Sequence, residues 1–224
     1  MRTKHVMWPT TLAAIAVAGA LALGVSAAQA QNKCLSGKTK CVSKNASCML
    51  QAEEVSQKTG QPNVWYKCWV KFYGGTEGFE KSCFGKLELK NDGPCLTFGD
   101  LDAEEAKVEA FVADVVLELY DSSPPNKCSA GKLKCVRKKT ACILTVHSKA
   151  QKLGLPLDPA ELQKCYDKFD GGTKGPDAGC FAKLEAKQDP LEFETVCPSV
   201  ADAATQEAKV DAFVADVLAE LGAP

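Results

Sequence analysis

The sequence predicts an all-α fold made of two tandem units, each with about four short helices that disulfide bonds hold together. Two observations carry this prediction. Apolar residues recur at the helical spacing i, i+3, i+4, i+7, and the alternation typical of strands is absent. Twelve cysteines form two sets of six, and both sets begin C-x6-C-x6-C and keep fourteen residues between the fourth and fifth cysteines. The sets are Cys34, Cys41, Cys48, Cys68, Cys83 and Cys95, then Cys128, Cys135, Cys142, Cys165, Cys180 and Cys197.

The amino terminus predicts export. Residues 1–30 combine a basic start, an apolar run and the cleavage-site pattern Ala28-Gln29-Ala30, which together are typical of a secretory signal peptide. Because exported proteins fold in an oxidising compartment, the even number of cysteines predicts six disulfides. We therefore expect a periplasmic or secreted protein without a membrane span. Its parts are a signal peptide (1–30), repeat 1 (31–120), a Ser/Pro linker (121–125) and repeat 2 (126–224).

The helices follow in the same order in each unit. Stretches 40–59 and 134–153 contain no proline or glycine and end at Gly60 and Gly154, which suit a helix C′ position. In unit two, Asp158-Pro159-Ala160-Glu161 predicts the start of a second helix that runs to Phe169, and a shorter helix is expected near 177–187. The last helices are predicted over 104–119 and 206–221, where AKVEAFVADV and AKVDAFVADV are nearly identical.

Helix geometry restricts the cysteine pairing. A continuous helix separates Cys41 from Cys48 by about 10 Å, too far for a disulfide. The third and fourth cysteines flank the loop of an antiparallel helix pair, which favours Cys48–Cys68 and Cys142–Cys165. Local pairing, first to second and fifth to sixth, stays open because Gly37 and Gly131 suggest that the first cysteine precedes the helix. Continued nesting instead gives Cys41–Cys83 with Cys34–Cys95, and Cys135–Cys180 with Cys128–Cys197.

The charge of the mature chain is nearly balanced. Removal of Arg2 and Lys4 with the signal leaves 25 basic against 28 acidic residues, or −3, which argues against a nucleic-acid partner. Residues 126–152 nevertheless hold eight basic residues and no acid. One interpretation is that the basic first helix lies beside the acidic last helix of the same unit. The other is a weak contact with an anionic surface through Arg137, Lys138 and Lys139.

Signatures of chemistry are scarce. The chain has neither the C-x2-C pairs of zinc sites nor the C-x-x-C-H haem motif, and His147 is the only histidine left after the signal. The loop 170–177 resembles a calcium loop, but Gly172 and Lys174 occupy donor positions. We therefore predict no catalytic residue, cofactor or metal. The expected function is an exported, non-enzymatic binding or scaffold protein; the alternative is a thiol-based metal-binding or redox protein, and an enzyme is the third class.

Several strings of the chain resemble those of a known group. KCV-x-K-K, K-F-D-G-G, G-C-F-x-K-L-E-x-K and A-K-V-D-A-F-V-x-D-V are similar to motifs of exported bacterial cysteine-rich tandem-repeat proteins without an established activity. Unit two fits better than unit one, where Tyr73 stands at the position of Asp170. The resemblance implies export and repetition, and it implies no particular activity.

The second helix differs between the units. Its core-facing stripe is apolar in both, with Trp65, Cys68, Trp69 and Phe72 in unit one. Unit one adds a second apolar stripe, Tyr66, Val70 and Tyr73, where unit two has Gln163, Asp167 and Asp170. Because exposed apolar patches mark contacts, we expect Tyr66, Val70 and Tyr73 to form a contact surface, between the units or with a partner.

Overall fold

The computed structural model describes residues 32–90, 95–120 and 125–223, so the predicted signal peptide and most of the predicted linker lie outside the described residues. These residues contain eight α-helices and no strand, which confirms the all-α fold with four helices in each unit. Among the described helices, none has the length and hydropathy needed to cross a bilayer. The helices are α1 (Lys33–Thr59), α2 (Tyr66–Tyr73), α3 (Gly85–Lys90), α4 (Leu101–Leu119), α5 (Lys127–Leu153), α6 (Pro159–Asp170), α7 (Cys180–Glu185) and α8 (Ala203–Glu220).

The first helix of each unit begins seven residues earlier than expected. Asn32 caps α1 by accepting a hydrogen bond from Leu35 N at 2.7 Å, and Asn126 caps α5 in the same way. The inference that the first cysteine of each unit precedes the helix was wrong, because Cys34 and Cys128 lie inside α1 and α5. Gly37 also lies inside α1, where a Cβ would come within 2.5 Å of Leu87 on α3, so the glycine allows these helices to pack closely. The expected C-terminal ends are confirmed, since Gly60 and Gly154 both adopt the left-handed conformation.

Each long helix therefore carries three cysteines, and each of them anchors a later part of its own unit. The pairs in unit one are Cys34–Cys95, Cys41–Cys83 and Cys48–Cys68. Unit two repeats the scheme with Cys128–Cys197, Cys135–Cys180 and Cys142–Cys165. The nested pairing is confirmed, and the local alternative is wrong because α1 and α5 are continuous through the first two cysteines. All twelve cysteines are paired.

The largest contact between elements joins the two units through α1 and α5. The helices run antiparallel: Asn32 N donates to Gln151 O at 3.0 Å, and Asn126 N donates to Gln57 O at 2.7 Å. These are the same bonds with the units exchanged, the signature of an approximate two-fold axis. One continuous cluster of buried apolar side chains contains residues of both units. The units therefore share a single core.

The last helices, α4 and α8, pack together about the same axis. Phe111 and Phe213, equivalent residues of the repeat, stack with centroids 4.2 Å apart and planes 7° apart. Lys107 pairs with Asp216 at 2.8 Å, and Lys209 pairs with Asp114 at 2.9 Å. The reciprocity of these ion pairs confirms that the repeat in sequence is also a symmetric packing in space.

In each unit, a buried lysine of the long first helix forms an ion pair with a residue near the start of the last helix. Lys132 Nζ lies 2.6 Å from both Glu185 and Asp202 and donates to the carbonyl of Ser199 at 2.7 Å. Lys38 has the same arrangement in unit one, and both lysines are nearly inaccessible to solvent. Asp100 and Asp202 stand at the N-caps of the last helices, as the expected pairing of the first helix with the last requires, whereas Glu88 and Glu185 lie on α3 and α7.

Substitution Lys132→Met should be strongly destabilising. Methionine keeps most of the side-chain volume but leaves Glu185 and Asp202 without their cation, and breaking such a pair costs about 3–5 kcal/mol. Chemical denaturation measures the loss in the free energy of unfolding. Lys127→Met is the matched control, since Lys127 pairs with Glu194 where both side chains are more than half exposed. Equal effects of the two substitutions would contradict a stabilising role for the buried lysine.

Candidate functional site

A cleft between the first helices of the two units collects unpaired positive charge. It encloses about 470 Å³, and four of its lining residues are exposed lysines, Lys33 and Lys40 of α1 and Lys149 and Lys152 of α5. No acidic residue in the described part of the chain lines it. The lining, which we call the basic cleft, is Lys33, Ser36, Gly37, Lys40, Thr145, Ser148, Lys149 and Lys152.

Helical spacing places these side chains. Lys33 and Lys40 lie seven residues apart, about two turns, and therefore share one face of α1. Lys149 and Lys152 are neighbours on the facing side of α5 by the i, i+3 rule. Ser36 and Ser148 lie between the helices, where their Oγ atoms are 3.0 Å apart and Ser148 Oγ donates to Ser36 O at 2.9 Å. The antiparallel packing of α1 and α5 thus brings two lysines from each unit around one opening.

The lysines of the basic cleft lack ionic partners. Within residues 32–90, 95–120 and 125–223, none of the four forms an ion pair, although lysines elsewhere in the protein form many. Four ammonium groups around one opening repel each other and create a positive potential at its centre. An anion that enters the cleft relieves this repulsion.

The symmetry-related surface, which we call the counterpart surface, does not have this excess charge. Glu54 takes the place of Ser148 there and pairs with Arg137 at 3.0 Å, and Val55 takes the place of Lys149. Lys127, which corresponds to Lys33, pairs with Glu194 at 3.0 Å. The remaining residues at matching repeat positions are Ala130, Gly131, Lys134, Gln51 and Lys58. Of the two symmetry-related surfaces, one therefore has the basic cleft and the other does not.

The basic surface that the sequence suggested lies elsewhere and is largely neutralised. Lys139 is 2% exposed, and its Nζ lies 2.5 Å from Glu207 and 4.2 Å from the ring centroid of Tyr166. Arg137 is half-buried against Glu54, and of the three residues only Lys138 is exposed. Lys139 cannot meet an external anion, and this part of the prediction was wrong. The sequence did not show that α6 and α8 converge on this lysine.

The second helix of unit one presents aromatic residues differently from the prediction. Trp69 does not face the core: it is 40% exposed, and its ring stacks between Tyr66 and Tyr73 at centroid distances of 6.0 and 5.1 Å. Tyr66 is exposed, whereas Val70 and Tyr73 are half-buried, and burial together with Asp102 raises the pKa of Tyr73. The units meet mainly through α1 with α5 and α4 with α8. For these residues, a contact with a partner stays a prediction.

The basic cleft could not be predicted from the sequence, because its lysines come from two distant stretches of the chain. Lys149 and Lys152 belong to the basic stretch of unit two, but Lys33 and Lys40 stand alone at the start of unit one. Only the antiparallel packing of the two long helices joins them. A comparison of the repeats did carry a signal, because Lys149 and Ser148 replace Val55 and Glu54 and so add positive charge to one copy.

Burial shifts the pKa values of His147 on α5 and Glu104 on α4. His147 is half-buried on α5, and burial lowers its pKa. Glu104 is fully buried, and neither of its oxygens has a hydrogen-bond partner within the described residues. Burial raises the pKa of Glu104 to about 8, against an opposing effect of Lys107. A group that solvent cannot reach is a poor candidate for contact with substrate.

Comparison with known proteins adds no assignment. No protein-family model, curated protein or solved structure matches the chain.

Substitution Glu104→Gln should remove a pH dependence of stability. Glu104 ionises near pH 8 in the folded chain, compared with its ordinary pKa of 4.5. The folded chain therefore retains this proton where the unfolded chain releases it, and stability is lost as pH rises from about 4.5 to 8. Glutamine, the residue of unit two at Gln206, should match wild type at pH 5 and exceed it at pH 8.5 by about 2–4 kcal/mol. Urea unfolding at both pH values measures the difference, and an equal stability change at the two would contradict this assignment.

Proposed function

We propose that the protein is an exported, non-enzymatic binding protein and that its ligand carries an anionic group held in the basic cleft. The observation that carries this proposal is the set of four exposed lysines without ionic partners, on one side only of a two-fold symmetric frame. An opening of about 470 Å³ is within the usual range of small-ligand sites.

The side chains suit a multiply charged oxyanion. A lysine ammonium is a compact charge with three donors, and its flexible stem adapts to phosphate, sulfate or carboxylate oxygens. Hydrogen bonds between ionised groups are roughly twice as strong as neutral ones. Four lysines from two helices can surround such a group, and the rigid packing of α1 on α5 fixes the separation of their stems.

Export forms the second part of the proposal. Six disulfides indicate an oxidising environment, and the sequence pattern of residues 1–30 supports a signal peptide that directs the chain there. The alternative of a thiol-based metal or redox protein requires free thiolates. All twelve cysteines are paired, so that alternative has no ligand or nucleophile in this oxidised state.

The double substitution Lys40→Gln with Lys152→Gln should weaken binding of inorganic pyrophosphate by at least about tenfold. Each glutamine removes one charge from opposite walls of the basic cleft, and a tenfold change corresponds to about 1.4 kcal/mol. Isothermal titration calorimetry at low ionic strength measures the dissociation constant. Added salt should weaken wild-type binding, since the site is open to solvent.

The counterpart surface supplies the matched control. Lys58→Gln with Lys134→Gln removes the same charge from equivalent repeat positions, and affinity should change by less than about twofold. If both double variants lost affinity equally, the binding would be a general effect of net charge. If wild-type protein failed to bind pyrophosphate at all, the proposed anion site would be wrong.

A further inference from the structure

An apolar cleft adjoins the basic cleft and shares two residues with it. It encloses about 440 Å³ between the end of α5, the loop after Gly154 and the start of α6. Thr145 and Lys149 line both openings, so the two lie on adjacent faces of α5. Its apolar lining is Val146, Ala150, Leu153, Leu155 and Pro156.

The leucines of this cleft are exposed without an evident structural cause. Leu153 is 43% and Leu155 is 53% exposed, and each stands where unit one has a polar residue, Thr59 and Gln61 respectively. Val146 likewise stands where unit one has the smaller Ala52. The same copy of the repeat therefore gained apolar surface and positive charge side by side. Exposed apolar residues grouped beside convergent charges are typical of a ligand site.

From this juxtaposition we infer that the ligand is an anionic amphiphile, a single molecule with a phosphate or carboxylate head in the basic cleft and an alkyl chain in the apolar cleft. The inference rests on the function proposed above and names the ligand class for that same site. Lys149 lines both clefts. In the proposed complex its aliphatic stem contacts the alkyl chain of the ligand, and its ammonium group binds the anionic head. Lysine side chains commonly divide their contacts in this way.

The acidic residue Asp158 at the α6 rim of the apolar cleft orients the ligand. Asp158 and Glu161 line the apolar cleft on the side of α6. Asp158 accepts hydrogen bonds from Ala160 N and Glu161 N at the helix start, and Glu161 pairs with Lys164 at 2.5 Å. Because Lys164 neutralises Glu161, the negative charge that repels an anionic head from this rim is that of Asp158. The head is therefore held at the lysine end, and the chain extends along Leu153 and Leu155.

The test compares butyl, octyl and dodecyl phosphate, each below its micelle concentration, by isothermal titration calorimetry on the full mature protein. Because the apolar cleft is open on one side and covers part of the chain, affinity should rise about tenfold from butyl to octyl phosphate. Pyrophosphate should displace octyl phosphate. The variant Leu153→Thr with Leu155→Gln restores the unit-one residues and should abolish the gain while butyl phosphate binding is retained. Leu191→Gln, at a leucine that is 94% exposed and outside the cleft, should leave the gain intact.

Several results would overturn the inference. Pyrophosphate binding without any gain from chain length would leave the proposed anion site standing and remove the amphiphile. A gain that survives Leu153→Thr with Leu155→Gln would place the chain elsewhere. Flotation with phosphatidylglycerol vesicles, with no gain from chain length in solution, would assign the lysines to a membrane surface instead.

Discussion

The antiparallel packing of α1 on α5 is the contact on which the rest of the structure depends. Each helix carries three cysteines and an equivalent buried lysine, Lys38 in α1 and Lys132 in α5, and through them it holds the remaining helices of its own unit. Neither unit has a large core of its own, since small domains bury a limited fraction of their surface. Joined through their first helices, the units share one cluster of buried side chains. The disulfides reduce the conformational entropy of the unfolded chain, and the shared core supplies the apolar burial.

The approximate two-fold symmetry repeats each structural feature in both units. Positions where the two units differ are therefore candidates for roles other than folding. Lys38 and Lys132 are equivalent and similarly bonded, which is consistent with a structural role. The basic cleft breaks this symmetry, because Lys149 lines the same opening as Lys33 and Lys40 while Val55 stands at the matching position of the counterpart surface. A stabilising interaction would be useful in both copies. An unpaired cluster of cations in one copy costs free energy through repulsion, which is consistent with the anion site proposed above.

Local features could be predicted from the sequence, and the arrangement of helices in space could not. The Asp158 cap, the glycine ends at Gly60 and Gly154 and the nested cysteine pairs depend on neighbours in sequence or on the geometry of one helix pair. The burial of Lys139 depends on rings from α6 and carboxylates from α8, which no spacing reveals. The exposure of Trp69 was likewise not predictable from spacing. α2 has only eight residues, and its core side accommodates Cys68 and Phe72, so the indole turns outward. The basic cleft forms only where the two units pack together, so the spacing of residues within one helix could not predict it.

Native-state hydrogen exchange tests most directly whether the two units form one cooperative structure through α1 and α5. Measured against denaturant concentration, the slowest amides of the two long helices should converge on a single opening free energy equal to the global free energy of unfolding. They should also show the same denaturant dependence, because the shared core is exposed in one step. Two separate free energies, one for the helices of each unit, would show that the units unfold independently and would contradict this account of the fold and its cleft.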